Sequence, residues 1–537
     1  MDFVFPVKII KAEGVTNAEM LLRPKTLQIG LKTKDLAVFS GKAYAILDFG
    51  RELQGGVRVL TFLSGPQNNV RLRFGESVSE VCAELGEKNA TNDHSLRDMN
   101  VSLRDYSDMT FGCTGFRFLR IDALSADAHI QIGGIAAAAQ IDGRAEPGTF
   151  TSSDPLVNRI WETAAYTMRL CLQNGYLWDG IKRDRLVWIG DLYPETRASH
   201  CLFGDTPEVR NSLDFAREET TLPGWMDNFP SYSLWWIMIL HSEYGRSGDA
   251  AYLRENIPYL RGMLSQISAC VTAEGETVYP QNFIDWPTYC EKGGSAEDIY
   301  DLKAGMHALT VLAMRCAKQL LEETGEDTAL CNDILRRLSR RKFSVNSRKQ
   351  IAAMRVWAGD KTPENEKLLL SGGAKGFSTF MMYELLSGIA AYGRYAEALS
   401  LCKEYYGKML ELGATSFWED FDISWADDLC RIDEIPKAGQ KDIGDYGDFC
   451  YIGYRHSLCH AWSAGVIPYL TETILGIRAE KGCAKITVQP HLSGLSWARG
   501  TFPTPYGIVA VEHVLQADGT VKTSVQAPAG VEVTVEK

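Results

Sequence analysis

The stretch SSDPLVNRIWETAAYTMRLCL, residues 152–172, marks the point where the sequence changes from one structural class to another. Asp154 is a residue type that caps helices, and Pro155 follows at the first helical position, where proline is best tolerated. Apolar residues then recur at four-residue spacing, which places them on one face of a helix: Leu156, Ile160, Ala164, Met168 and Leu172. The stretch predicts the first helix of a long helical region.

Further amphipathic runs continue this helical pattern to about residue 475. The longest are 231–244, 250–271, 299–322, 377–386 and 392–412, with Gly-, Pro- and aromatic-rich loops between them. No sequence repeat of the kind that superhelical arrays require is found. Because hairpins of amphipathic helices bury their apolar stripes against neighbouring hairpins, the pattern predicts a helical toroid.

On both sides of this region the hydrophobic period changes to two. Before it stand the runs YAILDFG from Tyr44, GVRVLTF from Gly56, VRLRFGE from Val70 and FRFLRIDAL from Phe116. This alternation predicts antiparallel strands with one buried face and favours a β-sandwich. After Gly476 the strand pattern returns in AKITVQP, GIVAVEHVL, TVKTSVQAP and VEVTVEK.

The predicted chain is therefore multidomain. We expect an N-terminal β-sandwich over residues 1–148, a helical toroid over 149–475 and a small C-terminal antiparallel β-domain over 476–537. Its 537 residues fit this expectation, since a single hydrophobic core stops growing well below that length.

Composition and charge narrow the possible partners. The formal net charge of −12 argues against nucleic acid, whose phosphates would be repelled, and a neutral small ligand fits better. No apolar run approaches the ~20 residues needed to span a bilayer, and the first residues lack the apolar segment of a signal peptide. The thirteen cysteines show no metal-ligand spacing, which favours free thiols in a reducing cytoplasm. The oligomeric state is left open, with a homodimer as one alternative.

The most informative stretch for chemistry is WDGIKRDRLVWIGD, residues 178–191. It places three carboxylates, three cations and two tryptophans in a loop between helical segments. Charges crowded in a partly closed loop shift each other's proton affinity, as acid–base catalysis requires, and tryptophan offers an apolar wall for a sugar ring. A purely structural ion-pair network around Arg183 remains an alternative interpretation.

A second stretch, GATSFWEDF at 413–421, again flanks a carboxylate with aromatic residues in a loop after a helix. If both loops lie at the same end of the toroid, their carboxylates can face each other across a pocket. Glycoside hydrolysis needs this geometry, because one acid protonates the leaving oxygen while the other activates water or attacks.

Three further loops join an aromatic surface to a hydrogen-bonding group: GWMD at 224–227, FIDWP at 283–287 and HSLCHAW at 456–462. Each alone is weak evidence, since tryptophan in a helical protein usually lies in the core. Their recurrence between successive helices favours a carbohydrate pocket.

These motifs together resemble the glycoside hydrolase family 78 α-L-rhamnosidases. The signature is the Asp179–Asp191 segment, with an Asp, an Arg followed by an acidic residue, a Trp and a Gly-Asp at this spacing. The later motifs follow in the same order: Asp285-Trp286, the Ala-Thr-x-x-Trp-Glu of 414–419, and His460. The terminal stretch PHLSGLSWARGTFPTPYGIVAVEH is similar to the family's closing β-domain.

The resemblance implies an (α/α)6 barrel, inverting hydrolysis, no cofactor and no metal in the catalytic step. It matches Asp184 to the general acid and Glu419 to the general base that activates water. The substrate-binding residues that it implies either hold the sugar hydroxyls, orient the acid or wall the rhamnose site: Asp179, Arg183, Trp188, Asp191, Trp225, Asp285, Trp286 and His460. Trp225 is the looser match.

The sequence departs from the family at two places. Many members carry Glu where this chain has Asp184, and aspartate reaches less far by roughly 1.5 Å, about one C–C bond. The stretch between Trp425 and Arg455 looks like an insertion rich in aspartate. It either walls the aglycone side of the pocket or forms a solvated loop.

The function expected from these residues is an inverting α-L-rhamnosidase acting on glycosides or oligosaccharides. Two alternatives stay open. The first is an (α/α)6 glycosidase for another sugar, such as a glucoside, a fucoside or an unsaturated uronide, for which Lys182 and Arg185 could supply cations. The second is a relative that binds carbohydrate without catalysis.

Overall fold

The computed structural model describes residues 2–25, 34–289, 294–344 and 346–536. Within this part of the chain, the N-terminal strands form one mixed sheet in which Lys8–Thr16 pairs antiparallel with the first half of the long Ala37–Thr61 strand. Along the main path the strand order is Asp2–Val4, His129–Ala139, Ala37–Thr61, Asp108–Ala123, Asn69–Gly75 and Asp98–Ser102. The predicted strands all lie in this sheet.

The runs that begin at Tyr44 and Gly56 were expected as separate strands, and this expectation is wrong. Both belong to the strand Ala37–Thr61, which bends at register shifts between Asp48 and Leu53 and again near Gly55. Such irregularities let one strand turn without ending, so the turn-like residues between the two runs do not interrupt the pairing.

The helix predicted at residue 155 is confirmed. It spans Pro155–Cys171, and the Asp154 carboxylate accepts the backbone N–H of Leu156 at 2.9 Å. The α-helices of this region are Pro155–Cys171, Leu192–Leu202, Pro207–Glu219, Pro230–Ser247, Ala250–Ala269, Ala296–Thr324, Ala329–Leu338, Lys349–Trp357, Pro363–Leu370, Met382–Ala390, Tyr395–Glu411 and Val466–Tyr469. One short helix, Val78–Cys82, belongs to the N-terminal part.

Contacts between these helices close into a ring. Leu192–Leu202 packs on Pro230–Ser247, which packs on Ala296–Thr324, and the contacts continue through Lys349–Trp357, Met382–Ala390 and Val466–Tyr469 back to Leu192–Leu202. The helices between them in sequence contact members of this ring.

One part of the helical expectation is wrong. The run predicted from Phe377 becomes helical only at Met382, because the hydroxyls of Ser378 and Thr379 donate to Asp285 and to the Glu419 carbonyl. Residues 413–460 form loops with short 3₁₀ segments at Ile423–Asp427, Ile443–Asp445, Phe449–Tyr451 and Gly453–Arg455. These loops build the wall of the candidate site.

The C-terminal strands form two small sheets. One contains Ile477–Glu480, Lys485–Val488 and Glu532–Val535, and the other contains Trp497–Thr504, Gly507–Leu515 and Val521–Gln526. The expectation of a wholly antiparallel domain is wrong, because Lys485–Val488 and Glu532–Val535 pair in parallel. The segment Thr149–Ser152 pairs antiparallel with Trp497–Thr504 and so completes the second sheet. The helical region is thus entered from a strand of the C-terminal β-structure.

None of the described helices is long and apolar enough to cross a membrane. Each cysteine in the described ranges carries a free thiol, as predicted, and Cys290 lies outside those ranges.

Candidate active site

The loop 178–191 is organised by Asp179, which follows the short strand Tyr176–Leu177. Its buried carboxylate accepts the backbone N–H of Asp184 at 2.8 Å and that of Leu186 at 2.9 Å. Burial, together with the negative charge of Asp184, raises the pKa of Asp179 to about 7. Asp179 therefore holds the backbone that presents Asp184.

Arg183 connects the two loops that the sequence singled out. Its Nη1 donates to Asp184 Oδ1 at 2.7 Å, and its Nη2 donates to Glu419 Oε1. Its Nε donates to the Arg455 carbonyl at 3.0 Å, and its side chain is 4% exposed. Two carboxylates that lie far apart in the sequence thus meet at one guanidinium.

Glu419 is held by backbone hydrogen bonds on both sides of its loop. Its N–H donates to the Ser457 carbonyl at 2.9 Å, while the Ser457 N–H donates to Glu419 Oε2 at 3.1 Å. The Trp462 indole and the Thr379 hydroxyl both donate to its carbonyl oxygen. The carboxylate consequently has a defined direction towards Arg183.

Asp184 is more accessible than Asp179, Asp191 and Glu419, with 14% of its side chain exposed against 2%, 5% and 4%. The Trp188 indole donates to its Oδ2 at 3.1 Å, and the His94 Nε2 lies 3.1 Å from its Oδ1. His94 comes from the N-terminal β-region. Asp184 therefore touches side chains from two parts of the chain.

His460 lies at the centre of the buried carboxylates. Its Nε2 is 3.8 Å from Asp179, 3.9 Å from Asp191 and 3.9 Å from Glu419. Burial and the nearby Arg183 charge lower its pKa well below the usual range. Asp179, Asp191 and His460 offer ligand atoms within 4.8 Å of one another and could hold a cation. That the catalytic step needs no metal stays a prediction.

Asp191 begins the helix Leu192–Leu202 and is buried beside Tyr232, whose hydroxyl donates to Asp191 Oδ1 at 3.3 Å. Burial and the negative charges of Asp179 and Glu419 raise the pKa of Asp191 well above its usual value. Nearby Asp227 accepts the Ile189 N–H at 3.2 Å, and burial raises its pKa to about 6. The loop is thus held at both ends by buried carboxyl groups.

The aromatic wall contains Trp286, half-buried between Phe283 and Phe449. Asp285 precedes it and is buried, accepting the Ser378 hydroxyl at 2.5 Å, and burial raises its pKa to about 6. Trp225 packs edge-on against Tyr279 at 5.6 Å. The contact with Ser378 therefore fixes Asp285, which directly precedes Trp286 in the chain.

Lys182 and Arg185, the two cations that left a uronide substrate as an alternative, both contact other groups of the protein. Lys182 is buried between Glu76 at 3.0 Å and Glu80 at 3.3 Å. Arg185 donates to the Cys113 carbonyl at 2.9 Å and lies over the Trp178 ring. Neither is available for a sugar carboxylate without breaking these contacts.

The aspartate-rich stretch 425–455 is anchored to the N-terminal β-region. Lys88 Nζ donates to Asp442 and to Asp445, both at 2.8 Å. Asp448, by contrast, lines a cleft of about 580 Å³ together with Asp420 and Trp425. The stretch is therefore folded against the rest of the protein rather than a simple solvated loop.

Several site residues were missed by the sequence analysis. His94 stands alone in a polar loop, and Tyr232 lies in a helix whose apolar pattern indicates core. Phe449 and Tyr451 follow no recognisable motif, although they contact the Trp286 ring. Asp227 was named only as part of the loop GWMD at 224–227. No local pattern marks these residues, because tertiary contacts bring them to the site.

Two segments of the chain match known domain families. Residues 145–330 match the family model described as the bacterial alpha-L-rhamnosidase 6 hairpin glycosidase domain, and residues 476–536 match that of the bacterial alpha-L-rhamnosidase C-terminal domain. No curated protein sequence matches significantly.

Similar folds are found among solved structures. The GH78 family rhamnosidase of Bacillus sp. GL1 is 21% identical with a TM-score of 0.76, over 97% of this chain and 55% of that one. A rhamnosidase from Klebsiella oxytoca with rhamnose bound is 21% identical with a TM-score of 0.67, over 87% and 95%. The Streptomyces avermitilis alpha-L-rhamnosidase complexed with L-rhamnose is 16% identical with a TM-score of 0.67, over 92% and 48%.

The chain thus spans about half the length of the Bacillus and Streptomyces enzymes but nearly all of the Klebsiella one. At these identities the likeness establishes the fold. With two matching domain models and this shared fold, the resemblance of the chain to the glycoside hydrolase family 78 α-L-rhamnosidases is confirmed.

Proposed function

We propose that this chain is an α-L-rhamnosidase that removes terminal α-L-rhamnose from glycosides or oligosaccharides with inversion at the anomeric carbon. The observation that carries the proposal is the Arg183 guanidinium, which binds Asp184 and Glu419 together. Glycoside hydrolysis needs two carboxyl groups facing one sugar-sized space. In this proposal Asp184 is the general acid and Glu419 the general base.

We infer that the ring of helices is the inner layer of an (α/α)6 toroid. Among the described residues, six helices follow one another in the ring, and the alternating helices pack outside them. We further propose that the N-terminal sheet flanks this toroid in the place expected for the sandwich. The proposed boundaries fall near residues 148 and 475, with the strand Thr149–Ser152 joining the C-terminal β-structure.

In the proposed mechanism, rhamnose lies against Trp188 and Trp286, with Asp191 and His460 reaching its hydroxyls. Asp179 contributes indirectly, because both of its oxygens accept backbone N–H groups of the acid's loop. Asp184 gives its proton to the glycosidic oxygen as the bond to the anomeric carbon breaks. Glu419 takes a proton from a water that attacks the opposite face.

Inversion requires a minimum distance between the two carboxyl groups. Room for that water requires the two carboxyl groups to be ~6.5–9.5 Å apart, whereas ~5–5.5 Å would indicate retention. The two carboxyl groups bind different nitrogens of the Arg183 guanidinium, and we expect the larger separation once the sugar is bound. A crystal structure with rhamnose bound measures this separation directly.

The decisive experiment is proton NMR of the purified protein with an aryl α-L-rhamnoside. Release of β-L-rhamnose as the first anomer supports the proposal, and release of the α-anomer refutes inversion. Asp184→Asn should lower kcat/KM by about 10²–10⁴-fold on alkyl rhamnosides and far less on nitrophenyl rhamnoside, whose leaving group needs little protonation. Equal losses on both substrates would count against Asp184 as the acid.

Glu419→Gln should abolish turnover of both substrates, with azide restoring part of it by replacing the activated water. Glu243→Gln is the matched control, since Glu243 is also buried and paired with an arginine, Arg210. Wild-type activity in Glu419→Gln would show that the base is assigned wrongly.

Two other functions can be tested with the same purified protein. A panel of aryl glycosides tests another sugar specificity, and the occupied state of Lys182 and Arg185 disfavours a uronide. Saturable rhamnose binding without detectable hydrolysis would indicate a carbohydrate-binding relative.

A further inference from the structure

His94 brings the N-terminal β-region into contact with the proposed acid. It lies between the 3₁₀ turn Glu87–Asn89 and the strand Asp98–Ser102, and its Nε2 is 3.1 Å from Asp184 Oδ1. With 27% of its side chain exposed, it is also open to solvent. The imidazole can thus contact both solvent water and the Asp184 carboxyl group.

The loop that carries His94 is fixed on both sides of this contact. Asp93 accepts the Arg455 Nε at 3.0 Å, and the Ser95 hydroxyl donates to the Lys182 carbonyl at 3.3 Å. Arg455 and Lys182 both stand next to the catalytic loops. The position of His94 over Asp184 is therefore set by neighbouring hydrogen bonds on either side.

The partners of Asp184 differ in what they can do with a proton. Arg183 and the Trp188 indole are donors only, so neither can accept a proton from the carboxyl group. Among the side-chain contacts that the described residues make with Asp184, only the His94 Nε2 can accept one. A protonated Asp184 therefore finds its hydrogen-bond acceptor in neutral His94.

We propose that Asp184 and His94 share the catalytic proton and that His94 recharges the acid from solvent, a step that rests on the proposed function. Asp184 transfers its proton to the glycosidic oxygen as the bond to the anomeric carbon breaks and the alcohol leaves. Neutral His94 then takes a proton from solvent and passes it to the Asp184 carboxylate, which returns both groups to their starting forms. Glu419 releases to solvent the proton that it took from the attacking water, so the cycle balances. His94 acts through Asp184, so it is a positioning residue.

The kinetic test uses His94→Gln and His94→Ala. Glutamine keeps a polar group of similar reach but cannot carry the proton, so both variants should lose about 10- to 100-fold in kcat/KM on an alkyl α-L-rhamnoside. Loss on nitrophenyl rhamnoside should stay within about threefold, because that leaving group needs little protonation. Imidazole added to His94→Ala should restore part of the alkyl-rhamnoside activity.

His129→Ala is the matched control, since His129 is an exposed histidine of the N-terminal sheet. Wild-type rates in His94→Gln, or equal losses on the two substrates without imidazole rescue, would overturn the proposal. They would leave the rhamnosidase assignment itself intact, which is judged on the wild-type protein.

A second measurement does not need turnover. With ¹⁵N-labelled histidine, the His94 ring signal is assigned by its loss in His94→Gln. Asp184→Asn should move that signal, while Asp93→Asn should move it less, because Asp184 lies 3.1 Å from the ring and Asp93 lies 3.8 Å from it. A His94 signal unchanged by Asp184→Asn would refute the shared proton whether or not the protein hydrolyses rhamnosides. A shifted signal in a protein without turnover would instead refute the proposed function alone.

Discussion

Replacing Arg183 by lysine tests the central geometry of the site. Lysine keeps the positive charge but offers a compact ammonium, so it cannot hold Asp184 and Glu419 at once in the way that the planar guanidinium does. A hydrogen bond to a charged group contributes about 1.5–3 kcal/mol. Loss of one such contact should therefore lower kcat/KM by about 10- to 150-fold.

Arg183→Met removes both contacts, so about 3–6 kcal/mol and about 150- to 25,000-fold in kcat/KM should be lost. The assay is steady-state hydrolysis of nitrophenyl α-L-rhamnoside, with far-ultraviolet circular dichroism to show that each variant is folded.

Arg197→Lys is the control for this pair of variants. Arg197 is likewise engaged by a carboxylate, Glu472, and by the Tyr383 hydroxyl at 2.7 Å, away from the catalytic loops. It should change stability while leaving kcat/KM close to the wild-type value. If Arg183→Lys keeps wild-type kcat/KM, or if both lysine variants lose activity equally, the idea that one guanidinium aligns the two carboxyl groups is wrong.

Three further outcomes are expected. Burial raises the pKa of Asp179 from 3.8 to about 7. Its contribution to the free energy of unfolding is therefore complete below pH ~4 and falls by about 4 kcal/mol as pH rises through ~7. Asp179→Asn should flatten this decline, as measured by the denaturant midpoint at each pH. Gly190→Ala would place a Cβ 2.2 Å from the Tyr232 ring, so destabilisation of about 1–3 kcal/mol and reduced activity should appear in denaturation and rate measurements. Trp286→Ala should raise KM about tenfold with little change in kcat, because it removes a binding contact of ~1.4 kcal/mol. A large fall in kcat at unchanged KM would contradict the role of Trp286 as a wall of the sugar site.

Much of the fold was predictable because its signals are local. Asp154 and Pro155 announce a helix by capping chemistry, and alternation of apolar residues marks strands without knowledge of their partners. The expectation failed where tertiary hydrogen bonds replace local preference. Ser378 and Thr379 stand in a helical pattern, yet their hydroxyls bind Asp285 and the Glu419 loop instead.

The sequence by itself determined the order of strands and helices, the two carboxylate motifs and the family that they resemble, since each depends on residues close together along the chain. Only the tertiary structure decided that Arg183 joins Asp184 to Glu419, that Lys182 and Arg185 are occupied elsewhere, and that His94 reaches Asp184 from a loop of the N-terminal β-region. Such contacts join residues that are between 72 and 236 positions apart. No local pattern encodes them, because the packing of the whole chain sets which side chains meet.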